Sequence, residues 1–370
     1  MKFSCEKYEL QAAITVASRA AASKSPIPAL EGLLLEAGSA LRVTGFDLKL
    51  GIYTDIPADV AEPGTIVLNA KLLGDMVRSL PDDVVTIAVD DSHMAKITCG
   101  KANFDLMGSS AEDFPELPSV DHQNTFTIGQ GTLRTMIAQT VFAVSDNESR
   151  PVYTGSLFEV EEGKLTLVSV DGYRLALRRE EITGGSLNAA SFIVPGISLS
   201  NLEKICPDSE ENVTIALDSK HVSFRFGDTV MVSRRLDGEF MNYKKTVPTA
   251  FNVNLTVERT ALVRSVERVS LVVDDRSKNP IRCTLGDGVI DINCLTGLGR
   301  AQDSCLCEGQ GGGMEIGFNN RYLLDALRAA PADKLMLRFN SGSSPCIAQA
   351  EDGSDSFLYM VLPVRLRAGE

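Results

Sequence analysis

The chain has 370 residues, of which 44% are hydrophobic and 23% charged, a composition typical of globular proteins and unlike disordered or fibrous ones. A single hydrophobic core rarely extends over so many residues, so the length predicts two or three domains. The 49 acidic residues outnumber the 36 basic ones and give a net charge of −13. Because binding to phosphates normally depends on Lys and Arg, this total taken alone argues against a nucleic-acid partner.

No apolar run in the sequence reaches the length of a membrane-spanning helix. The first residues, MKFSCE at 1–6, contain no apolar signal core. We therefore expect a cytoplasmic protein with no membrane partner.

The cysteine and histidine pattern predicts neither a metal site nor a cofactor. The 8 cysteines form no Cys-x-x-Cys pair, and the 3 histidines lie in separate segments. Free cysteines are among the residues most often buried in protein cores, so we expect buried, reduced thiols.

An internal repeat divides the chain into three parts. Similar strand-like strings occur at corresponding places: VTIAVD at 85–90, VTIALD at 213–218 and KLMLRF at 334–339. Each follows a predicted helix, at 71–80, 197–206 and 320–330. Further upstream, apolar residues at helical spacing predict longer amphipathic helices at 7–22, 131–145 and 257–273.

Paired strands follow each long helix, so every third of the chain contains a helix, several strands, a second helix and more strands. This order predicts an α+β protein with three domains of one design. We place the domains at 1–122, 123–249 and 250–370.

Charge is distributed unevenly along the chain. Six segments that contain the predicted helices, at 6–24, 70–80, 130–147, 197–206, 257–273 and 319–330, together carry +4. Because the net charge of the whole chain is −13, the remaining residues together carry −17. If all six helices share one side of the molecule, they form a weakly basic surface that attracts phosphates without sequence preference. The basic residues that would face nucleic acid are Arg19, Lys71, Arg78, Arg134, Lys204, Arg264, Arg268 and Arg321.

Six strings in order resemble a known family over the whole chain. They are MKF at 1–3, IPALEGLLL at 27–35, AEDFPEL at 111–117, DGYRLA at 171–176, LDGEF at 236–240 and YMVLPVRL at 359–366. Together they resemble the bacterial DNA polymerase III β subunit, the sliding clamp.

This resemblance implies three DNA-clamp domains per chain and a head-to-tail homodimer that closes a six-domain ring. Helices would line the hole, sheets would form the outside, and duplex DNA would pass through. The resemblance also implies a non-catalytic processivity factor. Its partners would be the replicative DNA polymerase, the clamp loader and other proteins that carry a clamp-binding motif.

The resemblance further assigns residues to three surfaces. Lys24 and Asn147 would face DNA, and Phe104 and Leu106 of one subunit would meet Val272 and Val273 of the other. A partner-peptide pocket would be formed by Tyr153, Val170, Gly172, Tyr173, Arg174, Leu175, Met241, Lys245, Thr246, Met360, Val361, Leu362, Pro363, Val364 and Arg365. An apolar groove with a few polar anchors suits a short extended peptide with Leu and Phe side chains.

Several pocket positions depart from the family's usual residues. Relatives often have an aliphatic residue at Tyr153, proline at Met241, arginine at Lys245 and valine at Thr246. These departures leave the fine specificity of the pocket open. The tail at 367–370 extends past the family's usual end and is expected to flank the groove.

Two alternatives do not involve encircled DNA. In a cytosolic enzyme, Asp90, Asp91 and His93, or Asp218 and His221, would act as acid–base groups, with the glycines at 309–313 as a phosphate loop. No GxxxxGK[ST], HExxH or GxSxG string supports that role. In a protein-interaction scaffold the chain would be a monomer, whereas a clamp requires a closed dimer.

Overall fold

The computed structural model describes residues 1–121, 123–187, 189–273 and 279–366. Its residues form two compact units. The first unit contains Met1–Leu133, Thr183–Leu187 and Asn201–Arg235, and the second contains Arg134–Ile182, Asn188–Ser200 and Leu236–Glu370. The predicted central segment, 123–249, therefore contributes residues to both units.

Secondary structure follows the predicted order of helices and strands. The first third contains β1 (Lys2–Glu6), α1 (Lys7–Ala17), β2 (Gly32–Ala37), β3 (Leu41–Phe46), β4 (Leu50–Ile56), β5 (Asp59–Glu62), β6 (Gly64–Asn69), α2 (Ala70–Ser79), β7 (Val84–Val89), β8 (Met94–Cys99) and β9 (Ala102–Met107). The central third contains β10 (Thr125–Gly129), α3 (Gln130–Ala138), β11 (Gly155–Glu161), β12 (Lys164–Val170), β13 (Arg174–Glu181), β14 (Gly184–Gly185), β15 (Ala189–Pro195), α4 (Gly196–Ile205), β16 (Asn212–Leu217), β17 (His221–Phe226) and β18 (Thr229–Arg234). The last third contains β19 (Val253–Glu258), α5 (Arg259–Ser270), β20 (Ile281–Thr296), β21 (Gly299–Phe318), α6 (Asn320–Ala329), β22 (Lys334–Phe339), β23 (Cys346–Ala350) and β24 (Phe357–Val361).

Three antiparallel sheets organise these strands. The first unit has a five-stranded sheet in the order β5-β1-β7-β8-β9 and a nine-stranded sheet in the order β14-β10-β16-β17-β18-β4-β3-β2-β6. The second unit has a ten-stranded sheet in the order β15-β11-β12-β13-β24-β23-β22-β19-β21-β20. Two pairings, β18 with β4 and β13 with β24, join strands from neighbouring thirds of the sequence.

The strand pairings confirm the internal repeat. The strand that opens each third pairs antiparallel with the strand that contains the repeated string: β1 with β7, β10 with β16, and β19 with β22. A helix directly follows the opening strand in each case. The three thirds are therefore built on one plan.

Apolar faces of the long helices form the cores. In α1, Leu10 and Ile14 are buried in the first unit, and in α5, Leu262, Val266 and Val269 are buried in the second. Full burial of a Leu or Val side chain stabilises a fold by about 1.5–3 kcal/mol. Of the 8 cysteines, 7 are buried and Cys307 is half-buried. In the described part of the chain, no helix is long and apolar enough to cross a membrane.

The long helices are shorter than their apolar patterns predict. The helix expected at 131–145 ends at Ala138, and a 3-10 turn, Val141–Ala143, follows it. At this end the Thr140 hydroxyl donates to the Met136 carbonyl at 2.8 Å, and such back-bonding competes with helical amide bonds. Likewise α1 ends at Ala17 and continues only as the 3-10 turn Ser18–Ala20.

Candidate functional site

A tight turn before β13 brings a polar anchor to one corner of the second unit. Asp171 Oδ1 accepts the backbone amides of Tyr173 at 2.8 Å and Arg174 at 3.0 Å. Gly172, between Asp171 and Tyr173, adopts the left-handed region at φ +95°, which glycine occupies without strain. The Leu362 amide then donates to the Tyr173 carbonyl at 2.8 Å, so the chain that leaves β24 is tied to this turn.

Arg174 connects four structural elements through one guanidinium group. Its Nε donates to Asp171 Oδ2 at 2.9 Å and its Nη1 to Asp325 Oδ2 in α6 at 2.5 Å. Its Nη2 donates to the Phe142 carbonyl at 2.6 Å. The guanidinium carbon also lies 4.5 Å from the centre of the Tyr322 ring. With only 11% of the side chain exposed, these contacts fix one orientation of Arg174.

Aromatic rings form a wall beside this anchor. The rings of Tyr173 and Tyr322 stack with centroids 5.9 Å apart, although Tyr173 remains 61% exposed. Tyr153 meets Phe240 edge to face at 5.6 Å. Burial raises the pKa of the Tyr322 hydroxyl. Exposed aromatic surface of this kind is typical of a peptide-binding groove.

These residues surround an open cavity of about 790 Å³ within the second unit. Six residues of the predicted pocket line it: Tyr153, Val170, Gly172, Tyr173, Arg174 and Met241. Leu175 and Met360 are buried in the apolar cluster that includes Val170, where they support the cavity wall from behind. The structure thus brings together side chains from four separate segments of the sequence.

The remaining predicted pocket residues lie at the edges of this region. Lys245 and Thr246 are exposed at the end of a 3-10 turn, Tyr243–Lys245, in which buried Tyr243 donates to Glu159 Oε2 at 2.7 Å. Val361 pairs with Arg174 across the sheet. Beyond it the chain bends away, and the Val364 amide donates to the Gly317 carbonyl at 2.8 Å. Pro363 is half-buried and Arg365 exposed. The predicted role of 367–370 lies outside the described residues.

Sequence reasoning missed part of the cavity lining. The loop that precedes Tyr153 contributes Val144, Ser145, Asp146 and Arg150, and α6 contributes Tyr322. Asn147, which the resemblance places against DNA, also lines this cavity. Its Oδ1 accepts the Ser149 amide at 3.0 Å, so the side chain orders its own loop. Nothing local in the sequence pairs Tyr322 with Tyr173, because the α6 stripe predicts only a core-facing helix.

The predicted DNA-facing bases lie on or next to the helices with varied exposure. Lys24, Lys71, Lys204, Arg264 and Arg321 are exposed, whereas Arg19 and Arg134 are half-buried. Exposed Arg78 pairs with Asp75 on its own helix at 2.9 Å. Arg268 pairs with Asp303 of β21 at 2.5 Å, and this bond holds the pKa of the Asp303 carboxyl below its usual value. The positive charges of these two arginines are thus partly compensated.

The predicted dimer-contact residues lie where sheets end. Half-buried Phe104 and buried Leu106 belong to β9, the last strand of the five-stranded sheet. Val272 and Val273 are half-buried just after α5. The Thr296 hydroxyl donates to the Val272 carbonyl at 2.7 Å and fixes this segment to β20, the last strand of the ten-stranded sheet.

Two of the carboxylates considered for catalysis accept backbone amides in turns. Asp90 Oδ1 accepts from the amides of Ser92 and Met94, both at 2.9 Å, in the turn between β7 and β8. Asp218 Oδ1 likewise accepts the amides of Lys220 and His221. The glycines at 309–313 lie inside β21 and thus not at a helix N-terminus, where a phosphate loop would place them. Among the described residues, no group of three or more His, Cys, Asp or Glu side chains is arranged to hold a metal ion.

Comparison with known proteins gives matches along nearly the whole chain. Three models of the DNA polymerase III beta subunit match in succession: the N-terminal domain at 1–118, the central domain at 127–242 and the C-terminal domain at 244–365. A beta sliding clamp from Synechocystis is 33% identical, with 99% of this chain and 100% of that protein covered. One from Halalkalibacterium halodurans is 32% identical over 94% of this chain and 95% of its own.

Solved structures give the same result. A DNA polymerase sliding clamp from Bacillus subtilis superposes with a TM-score of 0.96 at 28% identity, covering 99% of this chain and 100% of its own. A structure described as a putative DNA polymerase III beta subunit from Eubacterium rectale superposes with a TM-score of 0.94 at 32% identity, covering 98% and 99%.

Proposed function

The chain belongs to the DNA polymerase III beta subunit family and acts as a DNA sliding clamp. From this premise we propose which of its surfaces close the ring, face DNA and bind partner proteins. Two copies join head to tail into a closed ring that encircles duplex DNA. The ring tethers the replicative polymerase through the cavity beside Arg174. It performs no chemistry, and it works in the cytoplasm, where the bacterial chromosome is replicated.

The sheet edges support the proposed ring closure. β9 ends one sheet and β20 ends another, so each offers backbone groups to a further strand. Half-buried apolar side chains accompany both edges, Phe104 on one side and Val272 on the other. Head-to-tail contact of these two unlike edges closes a two-fold dimer and leaves neither edge open to aggregation.

The charge distribution supports a loose grip on DNA. The predicted DNA-facing basic residues lie on or next to all six helices, and some, such as Arg78 and Arg268, are already paired with carboxylates. Phosphate contacts from such bases are weak and independent of sequence. Weak contacts suit a ring that must slide, because strong ones would slow its movement. The total of −13 argues against tight groove binding and leaves encirclement open.

The cavity of about 790 Å³ is the observation that carries the partner assignment. Apolar walls from Tyr153, Val170 and Met241 suit Leu and Phe side chains, and the fixed Arg174 turn supplies polar anchors at one end. A short extended peptide of the polymerase, of the clamp loader or of another clamp-binding protein would occupy it.

Retention on circular DNA tests the proposed mechanism. The protein is loaded with a clamp loader onto a nicked circular plasmid, separated from free protein by gel filtration, and then exposed to an enzyme that linearises the plasmid. Topological linkage predicts retention on the circle and loss from the linear form through its free ends. Equal retention on both forms would contradict encirclement, and a strict monomer in sedimentation would favour the scaffold alternative.

A further inference from the structure

The hydrogen bonds that shape the Arg174 corner recur in the first unit, around Lys49. There Asp47 Oδ1 accepts the amides of Lys49 at 2.8 Å and Leu50 at 2.6 Å, as Asp171 does for Tyr173 and Arg174. The Arg234 amide donates to the Lys49 carbonyl at 2.8 Å, the same distance as from Leu362 to Tyr173.

The strands and loops around the two corners also correspond. Leu50 pairs with Ser233 between β4 and β18, as Arg174 pairs with Val361 between β13 and β24. The loop beside each corner is closed by one backbone bond of 2.8 Å, from Ala22 to Leu30 in the first unit and from Ser145 to Tyr153 in the second. The corner that forms the cavity edge in the second unit is thus built twice in the chain.

Basic side chains at the Lys49 corner occupy positions that aromatic or apolar side chains occupy at the Arg174 corner. Lys49 stands where Tyr173 does, and Arg234 and Arg235 stand where Leu362 and Pro363 do. Lys49 and Arg234 are exposed, as is Lys220, whose carbonyl accepts the Arg235 amide. In a chain with a net charge of −13, this group of bases is a local exception.

The carboxylates of this corner are engaged by the backbone. Asp47 accepts from two amides in the turn, and Asp218 Oδ1 accepts the amides of Lys220 and His221, both at 2.7 Å. The Arg235 guanidinium donates to the Asp218 carbonyl at 2.5 Å. Lys49, Lys220 and Arg234 are exposed, so their charged groups are accessible to an incoming carboxylate.

An apolar side chain and a cavity adjoin these bases. Leu48 is 49% exposed and adopts the left-handed region at φ +72°, which disfavours leucine. One step along the strands, Val232 lines an open cavity of about 610 Å³. Leu117, also in its lining, approaches so closely that a Cβ on Gly51 would lie 2.8 Å from it. The cavity contains two arginines and three glutamates, so it adds apolar surface more than net charge.

We propose that this corner is a second docking site, which binds an extended acidic peptide segment of a partner protein. Carboxylates of the segment pair with Lys49 and Arg234, and an apolar side chain packs against Leu48. The site is distinct from the cavity beside Arg174 and does not depend on the function proposed for that cavity. The two sites would select partners of different charge, since the Arg174 corner presents aromatic surface and the Lys49 corner presents basic side chains.

Fluorescence anisotropy with defined probes tests this site on the full-length protein. The probes are a labelled peptide of alternating Glu and Leu, an uncharged labelled peptide with Leu and Phe side chains, and a short labelled DNA duplex. The charge-reversal variant is K49E/R234E, and the milder K49Q/R234Q serves if reversal disturbs folding. The matched control, K2E/K164E, reverses two lysines that are exposed elsewhere.

We expect saturable binding of the acidic peptide, weakened at least tenfold by K49E/R234E, more mildly by K49Q/R234Q, and unchanged in the control. Binding of the uncharged peptide should be unchanged in all variants and should not displace the acidic one. The proposal is overturned if the unsubstituted protein does not bind the acidic peptide. It is also overturned if the uncharged peptide displaces the acidic one, or if the variants lose affinity for the duplex but not for the acidic peptide.

Discussion

Arg174 at the start of β13 and Asp325 in α6 form a bond of 2.5 Å between residues far apart in the chain. The same guanidinium contacts Asp171 and the Phe142 carbonyl, so one side chain holds the turn, the helix and the 3-10 segment in a fixed arrangement. The cavity therefore has one preformed wall, which reduces the entropy lost when a peptide binds.

Removing the charge of Asp325 tests this coupling. D325N should lower the free energy of unfolding by about 1–2 kcal/mol, the range expected for a hydrogen bond between charged groups that are partly exposed. It should also weaken binding of the Leu/Phe peptide, because Arg174 loses its ionic contact with Asp325 and keeps only the Tyr322 ring as its contact in α6. Urea unfolding and peptide titration measure the two effects. D75N, which breaks the exposed Arg78 pair, is the control and should change stability by less than about 0.5 kcal/mol.

Tyr173 should contribute to peptide binding more than to stability. Because its side chain is 61% exposed, Y173A leaves the core intact, yet it removes the ring that stacks on Tyr322 beside the cavity. We expect the Leu/Phe peptide to bind about tenfold more weakly, as for other aromatic anchors, with little change in thermal unfolding. Tyr8, which is 67% exposed on α1, supplies the matched control Y8A. Equal peptide affinity of the two variants would show that Tyr173 is not part of the site.

The sequence predicted the repeat well because local patterns encode it. Apolar spacing located the three long helices, and the internal repeat located the three shorter helices and the strands β7, β16 and β22. Helix ends were less predictable, since the Thr140 hydroxyl bond that accompanies the end of α3 competes with an apolar stripe that continues past it. The pairings of β4 with β18 and β13 with β24 join segments distant in sequence, and no local pattern specifies them.

The candidate site was likewise predictable only in part. The family resemblance supplied Tyr153, Gly172 and Arg174, all of which line the cavity. The resemblance did not predict that Asp325 and Tyr322 of α6 contact Arg174, because their proximity depends on how the sheet and the helix pack. The recurrence of the corner at Lys49 was equally hidden, since DLKL at 47–50 and DGYR at 171–174 share only their aspartate.

The proposed dimer contact predicts a monomer when a charge enters it. F104D places a carboxylate on β9, where the side chain is half-buried and would be covered by the partner. Burial of an unpaired charge is costly, so the dimer should dissociate at concentrations where the unsubstituted protein stays paired. Sedimentation velocity measures the change. L72D, on α2 in the same unit, starts from a leucine that is 49% exposed and should leave the dimer intact.

The pairing of Arg268 with Asp303 makes two further outcomes predictable. Because Asp303 compensates Arg268, R264A should weaken retention on DNA more than R268A does, although both arginines share one helix face. Removing the carboxylate with D303N should release Arg268 and strengthen DNA binding at low salt, an effect that added salt screens. Measuring duplex affinity across ionic strength distinguishes these variants, and a D303N protein that bound DNA more weakly would contradict the assigned role of the pair.

The stability effect of the same pair depends on pH in a defined direction. The Arg268 hydrogen bond lowers the pKa of Asp303 in the folded protein, so the folded state binds this proton less readily than the unfolded chain. The stabilisation is therefore present in full above the unfolded value of about 4 and is lost as the pH falls through the lower folded value. Thermal unfolding of D303N and the unsubstituted protein should differ most near pH 7 and converge in acid. A gap that widened as the pH fell would reverse this assignment.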